Sequence, residues 1–424
     1  MLPLRSRTVK LFQSRSTEGN EGPWWWDGLF ITPTSMGLRG NDMVKVWQHL
    51  AKDVVTPDYC IGCGSCVATC PVQALERVNE KPALKGVCIN CGICYGTCPE
   101  VVDPNSLQMP VFGAPPNDEV LGTYRHALSV EATDSGIKIR SQDGGAVSAI
   151  LISLLEAGYI DAAIVTGTRD LPWYPVAKVA TTPKEVLECA GTKYSRGPTS
   201  LGLREAVNMY YKKKVAIVGT PCQIIASRRM GLSTPRNAHL SDAIKLRIGL
   251  FCSGVFKYED FFKNFIEKNL QVPLASVDKF DLKGEKFIIY LKHGPSRELP
   301  LSEIRPYIDL PCRICTNFSA EMADISIGYA GSPAGRSTVL IRTELGEEAF
   351  AMAGGRGRLS VVDLASVRPG LEGVRQEALK KKALAAQTIE ALRNEKKVLP
   401  VWMQEHAVEV SGEPVESDKG ICQI

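Results

Sequence analysis

The chain has 424 residues, of which 44% are apolar and 23% are charged, and its formal net charge at neutral pH is +4. This length allows two or three domains, and so small a charge gives no reason to expect nucleic-acid binding. No run of about 18 or more uninterrupted apolar residues occurs, so we expect no membrane span, and any membrane contact would run through a partner.

The two ends of the chain are predicted to lie outside the folded domains. Residues 1–42 form an N-terminal extension, whose segment 1–16 carries four basic residues and no acidic one. Organelle transit peptides have such a composition, but a mobile tail, or a start at Met36 or Met43, explains it more simply. Residues 396–424 are predicted to be a C-terminal tail.

Residues 43–100 are predicted to form a ferredoxin domain of the bacterial type with two iron-sulfur clusters. Apolar side chains at helical spacing over 43–56 predict a lead-in helix. The spacing Cys-x-x-Cys-x-x-Cys-x-x-x-Cys-Pro then occurs twice, ending at Cys70-Pro and at Cys98-Pro. Each such run gives three thiolates to one 4Fe-4S cube, and its fourth cysteine reaches the other cube.

The predicted ligand sets therefore cross between the two runs. One 4Fe-4S cluster is assigned to Cys60, Cys63, Cys66 and Cys98, and the other to Cys70, Cys88, Cys91 and Cys94. Structural zinc is disfavoured because four thiolates per site give no reason for the third spacing and the Cys-Pro to be repeated. Disulfides are disfavoured because nothing resembles a secretory signal, and such pairs in a reducing compartment indicate metal or redox use.

A linker and an α/β domain are predicted to follow. Residues 101–119 contain four prolines and are interpreted as a linker over the surface. Over residues 120–395, helix and strand signals alternate, which predicts an α/β layered core. Helices are predicted within 141–160, 203–214, 259–270 and 371–395, strands at 161–168, 215–221, 245–254, 322–331 and 337–343, and a hairpin over 279–294.

Six cysteines lie outside the repeated runs, and four of them occupy favourable positions. Cys222 and Cys252 end predicted strands, while Cys312 and Cys315 form another closely spaced pair. Loops at strand ends of α/β sheets converge on a crevice where ligands gather, so these four are candidate ligands. Two thiols stay unassigned, the first expected to pack and the second lying in the tail: Cys189 and Cys422.

Other chemistries have little support in the sequence. The five histidines fall in no recognisable acid-base motif. Neither a Gly-x-Gly-x-x-Gly after a strand nor a phosphate-binding Walker loop occurs, so NAD and ATP chemistry is not predicted. We assign no catalytic residue.

Five motifs in the large domain resemble, in order, those of the family of coenzyme F420 hydrogenase and dehydrogenase beta subunits. They are SQDGGAVSAILISLLEAGYIDAAIV (141–165), AGTKYSRGP (190–198), VGTPCQ (218–223), GLFCSG (249–254) and CRICTNFSAEMADISIG (312–328). The resemblance covers roughly residues 119–395. With the ferredoxin domain in front, the chain is similar to the electron-input subunits of archaeal F420 dehydrogenase complexes and to the N-terminal half of F420-dependent sulfite reductases.

The resemblance implies an α/β flavoprotein domain that binds FAD and coenzyme F420, with a third 4Fe-4S cluster that we place on Cys222, Cys252, Cys312 and Cys315. It implies that reduced F420 gives a hydride to FAD, and that single electrons pass through the clusters to a redox partner protein or a larger complex in the cytoplasm. The family usually has an acid where this chain has Asn317, so no proton role is assigned there.

Three polar or glycine-containing turns support a flavin pocket by their residue types. The first opens a helix and offers backbone N–H groups: Gln142, Asp143, Gly144 and Gly145. The second adds a cation for phosphate and an aromatic face for a ring system: Lys193, Tyr194 and Ser195. The third lets backbone approach closely: Gly219, Thr220 and Pro221. An ordinary turn explains each one singly, and together they favour a flavin site.

Three other functions stay open. One is a ferredoxin-dependent flavin reductase of a small substrate, such as a chlorophyll intermediate, although those relatives usually lack a complete pair of ferredoxin runs. Another is an electron-transfer adaptor without flavin. The last is the input module of a larger reductase, which the sequence does not separate from a subunit of a membrane complex.

Overall fold

The computed structural model describes residues 44–233 and 238–405. The predicted extension over 1–42, Cys422 and most of the predicted C-terminal tail lie outside the described residues. Residues 401–405 of that tail form a short helix.

The cysteine-rich unit is built from short elements that leave its loops free to wrap. Its elements are helix α1 (Trp47–Leu50), which continues as a π-helical turn (Ala51–Val55), α2 (Ser65–Ala68), strands β1 (Leu75–Val78) and β2 (Lys81–Leu84), α3 (Ile93–Gly96) and a 3-10 turn (Pro99–Val101). The lead-in helix is therefore present within the predicted range. Strands β1 and β2 form an antiparallel hairpin.

Helices α2 and α3 both begin after a glycine with left-handed backbone geometry. The φ angle is 79° at Gly64 and 76° at Gly92, a conformation that strains residues with a Cβ atom. A Cβ added to Gly92 would also lie 2.6 Å from a side-chain atom of Val44. These glycines let each cysteine loop turn sharply into the helix that follows.

The segment predicted as a linker has local structure. It contains a 3-10 turn (Pro104–Leu107) and helix α4 (Gln108–Phe112). Leu107 is buried, and together with Val111 and Phe112 it packs against one face of the large domain.

The large domain contains the remaining strands and helices. Its strands are β3 (His126–Ala132), β4 (Ala162–Thr168), β5 (Pro175–Ala180), β6 (Val215–Gly219), β7 (Ile244–Leu250), β8 (Val277–Lys283), β9 (Lys286–Leu291), β10 (Arg297–Pro300), β11 (Ile325–Gly328), β12 (Ser337–Ile341) and β13 (Leu359–Asp363). Its helices are α5 (Ser135–Arg140), α6 (Ala146–Glu156), α7 (Pro183–Glu188), α8 (Thr199–Asn208), α9 (Pro221–Ser233), α10 (Ala238–Asp242), a π-helix (Tyr258–Asn269), α11 (Leu301–Ile304), α12 (Leu310–Arg313), α13 (Glu344–Gly354), α14 (Leu371–Asn394) and α15 (Val401–Glu405). Short 3-10 turns lie at Leu274–Ser276, Arg305–Tyr307 and Leu364–Ser366.

Within the described residues, eight strands form one mixed sheet in the order β13-β3-β12-β11-β7-β6-β4-β5. The inner strands β11, β7, β6 and β4 are parallel, and the outer ones pair antiparallel. Successive residues of β4 alternate between the two faces: Ala163 and Val165 pack with α6, α7 and α13, and Ile164 packs with α8, α9 and α10. The α/β layered core predicted from the sequence is confirmed.

A smaller sheet, β10-β9-β8, lies beside an aromatic cluster. Its β8–β9 hairpin was predicted, whereas β10 was not. Phe261 of the π-helix is fully buried and stacks on Phe256 with ring centroids 3.9 Å apart. This sheet gives the domain a second apolar core.

Helix α14 and the segment after it pack against the cysteine-rich unit. Leu392 of α14 is buried in the same apolar cluster as Trp47 and Leu50 of α1. The Tyr59 hydroxyl donates to the Val398 carbonyl at 2.7 Å. In the part of the chain that the structure describes, no helix is long and apolar enough to cross a membrane.

Candidate functional site

Two cavities lie in the cysteine-rich unit, and four cysteines line each of them. The first set combines three cysteines of the first run with the last of the second: Cys60, Cys63, Cys66 and Cys98. The second set has the converse composition: Cys70, Cys88, Cys91 and Cys94. The structure thus brings together the two sets named by the crossed assignment.

Backbone amides point at several of these sulfurs. The amide of Gly62 donates to Cys60 Sγ at 3.4 Å, and that of Ala74 donates to Cys70 Sγ at 3.3 Å. Such bonds favour the ionised thiolate and tune the potential of a bound cluster. The loops therefore offer donors as well as ligands.

Burial makes the thiols of the first set, and that of Cys94 in the second set, difficult to ionise by themselves. It raises the pKa of Cys63 and of Cys94 to about 12, even though a backbone amide hydrogen-bonds each sulfur. Thiolates at such sites need bound positive charge, which metal ions supply as they displace the protons. The thirteen cysteines among the described residues are all free thiols, so the donor chemistry fits two iron-sulfur clusters.

The arrangement differs from a site for a single ion. Over residues 44–233 and 238–405, no group of three or more His, Cys, Asp or Glu side chains is arranged to hold one metal ion. Instead, the cysteines of the first two sets surround cavities. Cysteines spaced around a cavity suit an iron-sulfur cluster, because the iron and sulfide atoms of the cluster fill the space between the ligands.

The crossed assignment predicts the outcome of changing Cys70. Cys70→Ala is expected to remove the cluster of Cys88, Cys91 and Cys94, because Cys70 lines their cavity although it belongs to the other run. Electron paramagnetic resonance (EPR) spectra of reduced Cys91→Ala and Cys63→Ala provide references for the loss of each cluster. The Cys70→Ala spectrum should match the first reference, and a match to the second would reverse the assignment.

A third set of cysteines lies where the parallel strands end. Cys222 is in the first turn of α9 after β6, and Cys252 follows the last residue of β7 by two positions. Cys312 lies in α12 and Cys315 just after it. The pKa values of Cys222 and Cys312 are both raised, first by burial and then by neighbouring thiols of this set. The four candidate ligands thus interact electrostatically with one another.

Lys381 of α14 contacts this third set, and sequence reasoning missed it. Its ammonium donates to the carbonyl of Cys252 at 2.6 Å and to that of Asn317 at 3.0 Å. Burial alone would lower the pKa of Lys381, but the four thiols of the third set hold it above its usual range. Helical spacing could have identified Lys381 in the sequence as a buried residue, because it shares the buried face of α14 with Val374 and Ala378.

The predicted flavin residues collect near the ends of the same strands. The side chain of Gln142 accepts from the amide of Thr192 at 3.2 Å and donates to Asp281 at 2.7 Å. Asp143 and Asp281 both raise the pKa of Tyr194, after the larger effect of burial. The first and second predicted turns are therefore neighbours.

The side chains in these turns differ in whether they already have hydrogen-bond partners within the protein. The Lys193 ammonium donates to the carbonyls of Cys189, Ala190 and Gly191 at 2.8, 2.8 and 2.9 Å, and burial lowers its pKa to about 8. A phosphate would have to compete with these carbonyls. In contrast, the buried Ser195 hydroxyl has no hydrogen-bond partner among the described residues.

The third predicted turn borders both the cysteines and the second turn. Gly219 ends β6, Pro221 begins α9, and the Thr220 hydroxyl lies 3.3 Å from Cys222 Sγ. Gln223 connects this turn to the second one, since its side chain donates to the Gly197 carbonyl at 2.6 Å. Gly144 and Gly145 lie directly before α6, so their loop ends at the N-terminus of that helix.

The first and third cysteine sets lie close to each other in the fold. Cys63 and Ile61 of the first loop form a small apolar cluster with Ala226 of α9, and Cys222 packs against it. The amide of Ser200 in α8 also donates to the carbonyl of Cys63 at 3.1 Å. The cysteine-rich unit thus contacts helices α8 and α9, of which α9 carries Cys222 of the third set.

A buried ion pair reinforces this junction. The guanidinium of Arg196 contacts the carboxylate of Asp309, and each side chain is only 1% exposed. Asp309 precedes α12, and its carbonyl accepts the amide of Cys312 at 2.9 Å. A Cβ added to Gly62 in the first loop would lie 3.5 Å from the Arg196 side chain. Burial also raises the pKa of the neighbouring Glu100 to about 8.

Comparison with known proteins gives matches to three family models along the chain. Residues 127–204 and 212–367 match the models described as coenzyme F420 hydrogenase/dehydrogenase beta subunit, N-terminal and C-terminal parts. Residues 53–76 match a 4Fe-4S binding domain. These ranges cover most of the large domain, up to residue 367, and the first cysteine run.

Several named proteins are similar over most of these regions. The chain is 39% identical over 261 residues to the coenzyme F420 hydrogenase subunit beta of Methanococcus voltae, covering 62% of this chain and 92% of that protein. It is 32% identical over 340 residues to a subunit of the F420H2 dehydrogenase of Methanosarcina mazei, with coverages of 76% and 88%. A chain in the solved F420-reducing NiFe hydrogenase complex from Methanosarcina barkeri is 33% identical, with a TM-score of 0.63 and coverages of 66% and 97%.

The fold, the cysteine sets and these matches define an oxidoreductase subunit of mixed α/β fold with an iron-sulfur domain. The chain belongs to the family of coenzyme F420 hydrogenase/dehydrogenase beta subunits, so the resemblance found in its five motifs is confirmed.

Proposed function

We propose that this protein oxidises reduced coenzyme F420 by hydride transfer to FAD in its large domain, and passes single electrons through three 4Fe-4S clusters to a partner. The observation that carries the proposal is the adjacency of the first and third cysteine sets through Cys63 and Cys222, beside the predicted flavin turns. The names of the relatives supply the substrate, since they describe F420 hydrogenases and an F420H2 dehydrogenase.

In this proposal each cysteine set holds one cluster. The first and second sets do so in the ferredoxin-type unit, and Cys222, Cys252, Cys312 and Cys315 hold the third. When bound, a flavin accepts a hydride and releases electrons singly, whereas iron-sulfur cubes pass one electron at a time. The chain therefore supplies ligands, N–H donors to sulfur and a buried setting that adjusts the potentials.

The flavin itself is assigned to the three turns at the strand ends. The loop before α6 offers backbone amides, and the Ser195 hydroxyl is a buried donor without a protein partner among the described residues. Tyr194 offers an aromatic face. The position at the carboxyl ends of parallel strands is where α/β folds bind ligands.

Electrons are proposed to leave by way of the second set, which is nearer to solvent. Val87 beside Cys88 is 85% exposed, and Ile89 is 52% exposed. Exposed apolar side chains next to a redox centre suit a protein partner. We propose a subunit of a larger electron-transfer complex as that partner, because the relatives are named as subunits.

Anaerobic mixing of the cluster-loaded protein with reduced F420 tests the function. We expect the absorbance of oxidised F420 to rise while the flavin and iron-sulfur bands bleach, and NADH to have no such effect. Denaturation should release FAD into solution. Reduced ferredoxin is run alongside as the competing donor.

Two results would contradict the proposal, each in a different way. Bleaching by reduced ferredoxin but not by reduced F420 would favour a ferredoxin-fed flavin reductase of a small substrate. A cluster-loaded protein that releases no flavin would favour an electron-transfer adaptor.

A further inference from the structure

Among the described residues, no carboxylate lies within ion-pair distance of the buried Lys381 ammonium, although the buried Glu321 interacts with it electrostatically. Lys381 is 8% exposed, and its ammonium is bound by two backbone carbonyls rather than by a carboxylate. The adjacent Lys380 differs, since its ammonium lies 3.0 Å from the carboxylate of Glu285. Burying an ammonium is costly unless opposite charge lies close by.

The third cysteine set is the opposite charge that this lysine faces. The Lys381 ammonium hydrogen-bonds the backbone of Cys252 itself and that of Asn317, which is two residues after Cys315. Four thiolates around a cluster carry more negative charge than the iron-sulfide core can neutralise. A cluster held by this set would therefore give the buried ammonium a counter-charge in addition to the more distant Glu321.

The two carbonyl contacts also join separate loops. Cys252 lies in the loop after β7, whereas Asn317 lies in the loop after Cys312 and Cys315. One ammonium hydrogen-bonded to both holds these loops at a fixed separation. Residue 381 lies beyond the region matched by the family models, which ends at residue 367, so it is a contribution of the C-terminal helix.

We propose that Lys381 is a positioning residue for the cluster on the third set, where it clamps two ligand loops and raises the reduction potential of that cluster. The inference rests on the third cluster of the proposed function. A fixed positive charge stabilises the reduced cluster, which has gained an electron, more than the oxidised one. Removing the charge should make the cluster harder to reduce.

Redox titration monitored by EPR under anaerobic conditions tests this role in the full-length, cluster-loaded protein. The signal lost in Cys222→Ala identifies the third cluster. In Lys381→Met we expect its one-electron reduction equilibrium to become at least tenfold less favourable, which lowers its midpoint potential by about 59 mV. The other two clusters should keep their potentials. Lys381→Arg retains the charge and should shift the potential much less.

Lys382→Met is the matched control, because Lys382 is next on the same helix and its ammonium donates to the Glu119 carbonyl at 3.3 Å rather than to a ligand loop of the third set. It should titrate like the unaltered protein. An unchanged potential in Lys381→Met, at full iron content, would overturn the inference. If Lys381→Met loses the third cluster outright, retention of iron in Lys381→Arg supports the role of the charge, and loss in both variants overturns it.

Failure of the inference and failure of the proposed third cluster give different results. In the latter case the unaltered protein would contain about eight irons, as two cubes require, and Cys222→Ala would change no EPR signal. The inference about Lys381 would then be ruled out without any titration of its variants.

Discussion

Cys222→Ala is expected to lose about four of roughly twelve irons, because each 4Fe-4S cube needs its four cysteine ligands. The change should also uncouple the flavin from the ferredoxin-type clusters, since Cys222 packs against the loop that carries Cys63. Reduced F420 should then bleach the flavin band, while the absorbance of the two remaining iron-sulfur clusters stays at its oxidised level. Iron analysis and anaerobic rapid mixing measure the two effects.

Cys189→Ala is the matched control for this experiment. Cys189 is a half-buried thiol of the same domain that packs beside the main core, away from the third set. It should keep its full iron content and its coupling. Unchanged iron in Cys222→Ala would show that the third cluster has been placed on the wrong residues.

Arg196→Met is expected to lower the free energy of unfolding by about 3–5 kcal/mol, which is the usual cost of breaking a buried ion pair. The substitution leaves the Asp309 carboxylate buried without its cation, near Glu80 and Glu100. Anaerobic urea unfolding, followed by circular dichroism, provides the measurement. The iron-sulfur absorbance should be lost in the same transition, because the pair lies between two cysteine sets.

An exposed ion pair gives the comparison for Arg196. The guanidinium of Arg305 lies 3.8 Å from the carboxylate of Glu285, and both side chains are more than a third exposed. Arg305→Met should therefore change stability by less than about 1 kcal/mol. The double variant Arg196→Met with Asp309→Leu should recover part of the loss, because it removes the stranded charge. Equal stabilities of Arg196→Met and Arg305→Met would contradict the prediction.

The sequence was most informative where one local rule decides the structure. The spacing of the two cysteine runs constrains which residues share a cavity, so the sets containing Cys98 and Cys70 could be predicted without coordinates. The apolar runs of β4 and β6 likewise predict buried strands, and the structure shows these two to be parallel. Lys283 and Lys286 pair across the tight turn of the β8–β9 hairpin, where Gly284 indicated a turn in the sequence.

Elements whose role depends on distant partners were not predicted. Strand β13 is mostly exposed at the edge of the sheet, and β5 begins with Pro175 at the other edge, so neither shows a clear apolar pattern. Arg196 and Asp309 are 113 positions apart, and nothing local distinguishes them from surface charges. Lys381 is one of three consecutive lysines; helical spacing places it on the buried face of α14, but what it contacts there depends on tertiary packing.

Helix α14 contacts three parts of the molecule along its 24 residues. Val374 packs with the loops around the sheet, Lys381 meets the third cysteine set, and Leu392 enters the core of the ferredoxin-type unit. This single continuous helix thus fixes the spacing between the large domain and the cysteine-rich unit. In the proposed function, electrons would cross this junction between clusters at a fixed separation, without a tethered carrier that diffuses between docking positions. Their transit time would then be set by distance and driving force.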